Sequence, residues 1–124
     1  MNLLEKRRKY KIEHEANAIK LKILRKETAI RGWDGERGEP IPEDAWMIAA
    51  LFLSKIKNCP APFLSACGDG HVHLQWRPEV LIRFSENDAF YNFGNPNFEE
   101  RSIAKENITI FDLAEKAITF FGKE

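Results

Sequence analysis

The sequence lacks any apolar run close to the ~18 consecutive residues that a membrane-spanning helix needs. It also lacks an apolar stretch behind its first charges, because Glu-Lys-Arg-Arg-Lys follows directly after Leu3 and Leu4. We therefore expect neither a transmembrane segment nor a secretory signal. Only two of the 124 residues are cysteines. Together these absences predict a cytoplasmic protein whose thiols stay reduced.

The common catalytic motifs are missing as well. The sequence has no Gly-x-Ser-x-Gly elbow, no phosphate-binding loop and no His-Glu-x-x-His pair. Gly32, Gly35 and Gly38 recur at period three but do not follow a strand in a βαβ unit, as a dinucleotide fingerprint requires. We therefore predict a protein without enzymatic activity and without catalytic residues.

Cysteine and histidine come close together in one segment, in the order Cys59, Cys67, His71 and His73. Zinc fingers and ribbons pair their ligands two to four residues apart. The seven residues between Cys59 and Cys67 do not fit that spacing. We predict two small, partly buried cysteines and no metal or other cofactor, with a four-ligand zinc site as the alternative.

Charge is balanced only over the whole chain, which has 19 basic and 19 acidic residues. Residues 1–31 hold ten basic and four acidic side chains, whereas the remaining 93 hold nine basic and fifteen acidic ones. Such asymmetry bears on partners and solubility rather than on fold. The sequence thus predicts a basic arm, 1–31, and a compact acidic α+β domain, 32–124.

The sharpest basic cluster consists of Lys6, Arg7, Arg8, Lys9, Tyr10 and Lys11. Its cations could contact phosphates, and its tyrosine could stack on a base. A solvated helix face, or an arm lying against the acidic domain, explains the same residues without a ligand. An acidic domain repels nucleic acid, so we favour that second interpretation.

Residues 1–31 contain neither glycine nor proline and are rich in good helix formers, which predicts one long helix from about residue 3 to 30. The helix carries an apolar stripe, because isoleucine or alanine recurs at intervals of four, three, four and seven residues. The members of this stripe are Ile12, Ala16, Ile19, Ile23 and Ile30.

The rest of the chain predicts a helix from Pro42 to about Lys57, four strands between Phe63 and Phe93, and a helix from Ile110 to about Phe121. Residues 97–106 fit either a short edge strand or an irregular segment. The predicted fold is α+β, with the order α-α-β-β-β-β-α. It places an antiparallel four-stranded meander against two helices, preceded by the long basic N-terminal helix.

The loop Gly32-Trp33-Asp34-Gly35 is the most distinctive local feature. One interpretation makes Trp33 an anchor packed beneath the loop and Asp34 a cap for backbone amides. The other makes Trp33, Asp34 and Arg37 contact residues for a protein partner, since tryptophan and arginine are common in binding hot spots.

A wider pattern surrounds this loop: Trp-Asp-Gly after a helix, Pro-Ile, a helix rich in alanine and phenylalanine or leucine, Pro-x-Pro, and Asp-Gly before a strand ending in tryptophan. The matching residues are Trp33, Asp34, Gly35, Pro40, Ile41, Ala49, Ala50, Phe52, Leu53, Pro60, Pro62, Asp69, Gly70, Leu74 and Trp76. This set, within about residues 30–85, resembles a family of small bacterial and phage-encoded α+β proteins. The sequence departs from that pattern at Glu36-Arg37-Gly38-Glu39 and in its long basic helix. The resemblance implies a small α+β domain and brings no catalytic residues or activity with it.

The sequence as a whole predicts a protein–protein interaction module of regulatory or inhibitory type. The stripe residues Ile12, Ile19 and Ile23 need a surface that buries them, and a homodimer formed through residues 3–30 would provide one. The alternative is a nucleic-acid-binding protein that uses the basic cluster at residues 6–11. The two hypotheses differ in salt dependence, because binding to phosphates weakens steeply as salt rises.

Overall fold

The computed structural model describes residues 2–36, 38–86, 88–94, 101–104 and 110–123. These residues form three helices and five strands, in the order that the sequence predicts apart from one added strand. They are α1 (Leu3–Glu27), α2 (Glu43–Lys55), β1 (Phe63–Cys67), β2 (His71–Arg77), β3 (Val80–Phe84), β4 (Asp88–Phe93), β5 (Arg101–Ala104) and α3 (Ile110–Gly122). The predicted α+β class is confirmed.

The strands form one antiparallel meander in which each strand pairs with the next along the chain. The predicted four strands are present, and residues 101–104 add a fifth at the edge, which settles the choice left open for that segment. Gly70 adopts a φ of +90° in the turn between β1 and β2, a conformation that favours glycine. Alternation along β2 buries Val72 and Leu74 on one face of the sheet.

The core lies between that face of the sheet and the helices. α2 contacts β2 and β3 and also packs against α3. Its inner face, which the sequence predicts from the spacing of its apolar residues, buries Ala45, Ala49 and Phe52 completely. The spacing of apolar residues predicts that this face consists of Ala45, Ile48, Ala49, Phe52, Leu53 and Ile56. Trp46 lies outside that predicted face and is nevertheless buried. Phe52 meets Phe84 of β3 with ring centroids 5.7 Å apart, which ties the helix layer to the sheet.

Helix α1 ends at Glu27, three residues before the predicted end, and packs against α2 and β1. Leu21 is its one buried side chain. Polar contacts hold the same face: His14 Nε2 lies 2.9 Å from the carbonyl oxygen of Cys59, and Asn17 Nδ2 donates to the carbonyl of Pro62 at 2.8 Å. None of the described helices combines the length and apolarity that crossing a bilayer requires.

Hydrogen bonds from three tryptophan side chains hold the connecting segments against the core. An indole N–H that is removed from water needs an acceptor, since leaving it unpaired costs about 1–3 kcal/mol. Each indole nitrogen here has one: Trp33 donates to the carbonyl of Glu39 (2.7 Å), Trp46 to the hydroxyl of Thr28 (3.1 Å) and Trp76 to the carbonyl of Pro60 (2.7 Å). These bonds hold the end of α1 and the loops on both sides of α2 in place.

Candidate protein interface

The isoleucine stripe of α1 faces away from the rest of the molecule. Ile12 is 67% exposed, Ile19 64% and Ile23 51%. Ile19 and the buried Leu21 are two positions apart, which places them about 200° apart around the helix axis. Helix α1 therefore has two faces, a partly polar one that docks on its own domain and an isoleucine face that nothing in the described chain covers.

Charges of both signs border this stripe. Glu15 and Lys22 lie along one side of it and are exposed, and Glu13 and Lys20 lie along the other. Lys20 already makes one contact within the chain, because its ammonium group sits 3.7 Å from the centroid of the Phe63 ring. An apolar seam between mixed charges is typical of helices that pair with other helices.

The basic cluster divides between different surfaces of α1. Arg8 and Lys9 lie four and three residues before Ile12, which places them on the stripe side of the helix. Lys9 Nζ lies 3.9 Å from a carboxylate oxygen of Glu13, an exposed pair that contributes little to stability. Lys11 turns toward α2 and lines a cavity shared with Lys57.

Lys6, Arg7 and Tyr10 line a second, adjacent cavity near the end of α2, together with Lys55; Arg7 lines both cavities. The structure thus joins the basic cluster to two lysines, Lys55 and Lys57, that the sequence analysis did not include. The one hint in the sequence is their position in and after the last turn of α2. Only the docking of α1 brings these lysines close to the cluster.

The Trp33 loop is closed by its own hydrogen bonds. The carboxylate of Asp34 accepts from the backbone N–H of Glu36 (3.0 Å) and of Gly38 (2.9 Å). Those two bonds lower the pKa of Asp34 below its ordinary value. Trp33 is half-buried against the core, and Arg37 lies outside the described residues. Trp33 and Asp34 thus both make hydrogen bonds that hold the loop in place.

Cys59 lies apart from the other three predicted metal ligands. It is buried in the core, whereas Cys67 and His71 pair across β1 and β2 on the face of the sheet opposite Val72 and Leu74. His73 lies on that same face, by the alternation of β2. Among the described residues no three histidine, cysteine, aspartate or glutamate side chains are placed to share a metal ion.

A pair of titratable side chains, Asp69 and His71, lies at the turn between β1 and β2. His71 Nδ1 lies 2.9 Å from a carboxylate oxygen of Asp69. Burial alone would raise the pKa of Asp69, but the hydrogen bond and charge of His71, with the charge of Arg83, lower it overall. Burial and the charge of Asp69 raise the pKa of the Cys67 thiol, which opposes its conversion to a nucleophilic thiolate.

Comparisons with protein-family profiles, with curated proteins and with solved structures find no match for this chain. The resemblance to the small bacterial and phage-encoded proteins therefore stays a prediction.

Proposed function

We propose that this chain is a small cytoplasmic protein–protein interaction module of regulatory or inhibitory type, acting without catalysis. The observation that carries the proposal is the exposure of Ile12, Ile19 and Ile23 in one line along α1. Keeping three large aliphatic side chains in water is unfavourable. A partner that covers them would remove that free-energy cost. The proposal includes the resemblance to small bacterial and phage-encoded α+β proteins, because that resemblance implies no catalytic activity.

The occupant of the stripe is a second copy of the chain. When two α1 helices pair in antiparallel fashion, Ile12 faces Ile23 of the second copy and Ala16 faces Ile19 of the second copy. A large residue then meets a small one in the central layers, which supports close packing. The antiparallel arrangement also places the positive end of each helix dipole beside the negative end of the other.

The charges beside the stripe complement one another in the same register. Glu15 of one copy comes opposite Lys22 of the other, and Glu13 comes opposite Lys20. Because the pairing is two-fold symmetric, each attraction occurs twice. Charged positions that flank an apolar seam set partner choice and orientation in paired helices. This complementarity favours a second copy over an unrelated apolar surface.

The expected affinity is modest. Two copies bring six isoleucines to the seam, each half to two-thirds exposed in the single chain. At about 1.5–3 kcal/mol for a fully buried isoleucine, the partly exposed set contributes about 5–11 kcal/mol before costs. Association itself costs about 4–15 kcal/mol, so at most about 7 kcal/mol remains. We therefore expect a weak dimer, no tighter than about 10 µM, which forms and separates with concentration.

Sedimentation analysis over about 5 to 500 µM tests this proposal. The unmodified chain should shift from monomer to dimer within that range, and the combined variant Ile12→Ser, Ile19→Ser, Ile23→Ser should stay monomeric. Met47→Ser serves as the control, because Met47 is 56% exposed on α2 and lies outside the stripe. A chain that remains monomeric at every concentration would remove the second copy as occupant.

Nucleic-acid binding is the second candidate function, and one observation favours it. Lys55 and Lys57 extend the basic cluster of α1 across to α2, which gives a composite basic surface. Fluorescence anisotropy with a single-stranded oligonucleotide tests this function at several salt concentrations. Affinity that falls steeply with salt, and falls further in Lys6→Gln and Lys57→Gln variants, would support it. Affinity too weak to measure at low salt would remove it.

A further inference from the structure

A cavity of about 420 Å³ lies where the first turns of α1 meet the ends of α2 and α3. Its volume falls within the range of sites that hold small organic ligands, about 300–1,000 Å³. Neither the isoleucine stripe nor the Trp33 loop contributes to its walls. The cavity is therefore a separate feature from the proposed protein interface.

Two kinds of side chain line this cavity, and they differ in chemistry. Ile56, Ile118 and Phe121 supply apolar walls from α2 and α3. The ring of Phe121 is held in place by Trp76, with centroids 5.1 Å apart. Tyr10 adds a half-buried aromatic ring from α1. Such walls favour an organic body over a bare inorganic ion.

The charged lining has one sign only. Lys6 and Arg7 project from α1, and Lys55 projects from α2, where its ammonium group also lies 3.8 Å from the centroid of the Phe111 ring. No aspartate or glutamate occurs among the described residues that line the cavity. Three like charges around one recess repel one another, and an anion placed between them turns that repulsion into attraction.

We infer that the cavity binds a small amphiphilic anion, with a carboxylate or sulfonate head and a compact apolar body. The head lies among Lys6, Arg7 and Lys55, and the body lies against Ile118 and Phe121. An inorganic anion would leave the apolar walls in water, and a neutral apolar molecule would leave the three like charges without a counter-charge. The inference does not depend on the proposed protein interface, because the two surfaces share no residue.

Titration calorimetry with 8-anilinonaphthalene-1-sulfonate tests this inference, since that probe has both the head and the body required. We expect saturable binding of one probe per chain. The double variant Lys6→Gln, Lys55→Gln should weaken binding about tenfold or more. The matched double variant Lys9→Gln, Lys22→Gln removes the same charge away from the cavity and should change the affinity less than about twofold.

Two further experiments distinguish binding in this cavity from binding of the probe elsewhere on the chain. Decanoate should displace the probe, whereas decanol, which has the same chain without the charge, should not. The serine variants at Ile12, Ile19 and Ile23 should bind the probe normally. Equal losses in both lysine variants, displacement by decanol, or loss of binding in the serine variants would each overturn the inference. Circular dichroism of every variant confirms that the chain remains folded.

Discussion

Replacing Thr28 with valine should destabilise the whole protein, although the change preserves side-chain shape. Thr28 follows the last turn of α1 and is completely buried. Its hydroxyl donates to the carbonyl of Leu24 at 2.7 Å and accepts the indole N–H of Trp46 at 3.1 Å. Valine retains the volume and removes both roles, so the buried N–H of Trp46 is left without its acceptor.

The expected magnitude follows from that unpaired group. A buried donor that loses its acceptor costs about 1–3 kcal/mol. The carbonyl of Leu24 keeps the backbone N–H of Thr28 as a donor at 2.9 Å, so it adds little. We expect the free energy of unfolding to fall by about 2 kcal/mol. For a chain of this length, that loss lowers the melting temperature by about 6–12 °C.

Urea unfolding, followed both by circular dichroism and by tryptophan fluorescence, measures this change. The midpoint should move to lower urea without a change in slope. Thr119→Val is the matched control, because Thr119 is exposed on α3. The control should change stability by no more than about 0.5 kcal/mol.

A double-mutant cycle with Trp46→Phe isolates the hydrogen bond. Phenylalanine has no N–H to leave unpaired, so Thr28→Val should cost about 2 kcal/mol less in that background. The same cost in both backgrounds would show that the indole contact does not carry the effect. A change within about 0.5 kcal/mol for Thr28→Val alone would show that the end of α1 is not fastened to α2 as described.

Three further predictions concern the loop and the thiols. Gly38→Ala should lower the melting temperature, because a Cβ at Gly38 would lie 2.6 Å from the Asp34 carboxylate. In an Asp34→Ala background, where that carboxylate is absent, Gly38→Ala should lower the melting temperature little further. Backbone hydrogen bonds lower the pKa of Asp34, so they stabilise the folded chain above the unfolded-state pKa of this group. That stabilisation is lost as pH falls through the lower folded-state pKa. Asp34→Asn should therefore reduce the fall in melting temperature on the acid side of a pH profile. Cys67, which is half-buried, should react with a thiol reagent before the buried Cys59, and both should react slowly at neutral pH because burial raises their pKa values; equal and rapid labelling would contradict this.

The sequence predicts the sheet and α2 well because short-range periodicity determines both. Alternation in β2 predicts that Val72, Leu74 and Trp76 turn inward, and the structure buries Val72 and Leu74 completely and Trp76 in part. The spacing of alanine and phenylalanine in α2 likewise indicates its buried face, with Phe52 at its centre. In each case, a repeat of two or 3.6 residues maps directly onto one face of one element.

The docking of α1 could not be predicted in the same way. Its isoleucine stripe follows helical spacing, yet the structure buries the opposite face. That face uses His14 and Asn17, whose acceptors are backbone carbonyls 45 positions further along the chain. A polar side chain paired with a distant carbonyl leaves no periodic pattern. The charged cavity escaped prediction for the same reason, because Lys55 joins Lys6 only through tertiary docking.

Oxidative cross-linking between engineered cysteines tests the antiparallel isoleucine interface most directly. Two versions of the chain, Ile12→Cys and Ile23→Cys, are each made with Cys67→Ser, purified and then mixed. Disulfide formation needs Cα atoms within about 7 Å. In the antiparallel pairing, position 12 faces position 23 of the other copy, whereas two copies of position 12 lie about 16 Å apart along the helix axis. The mixture should therefore yield mainly the 12–23 covalent dimer, and each version alone should remain uncross-linked. Dimers of 12 with 12 and 23 with 23, or no covalent dimer at concentrations of several hundred micromolar, would contradict the proposed interface.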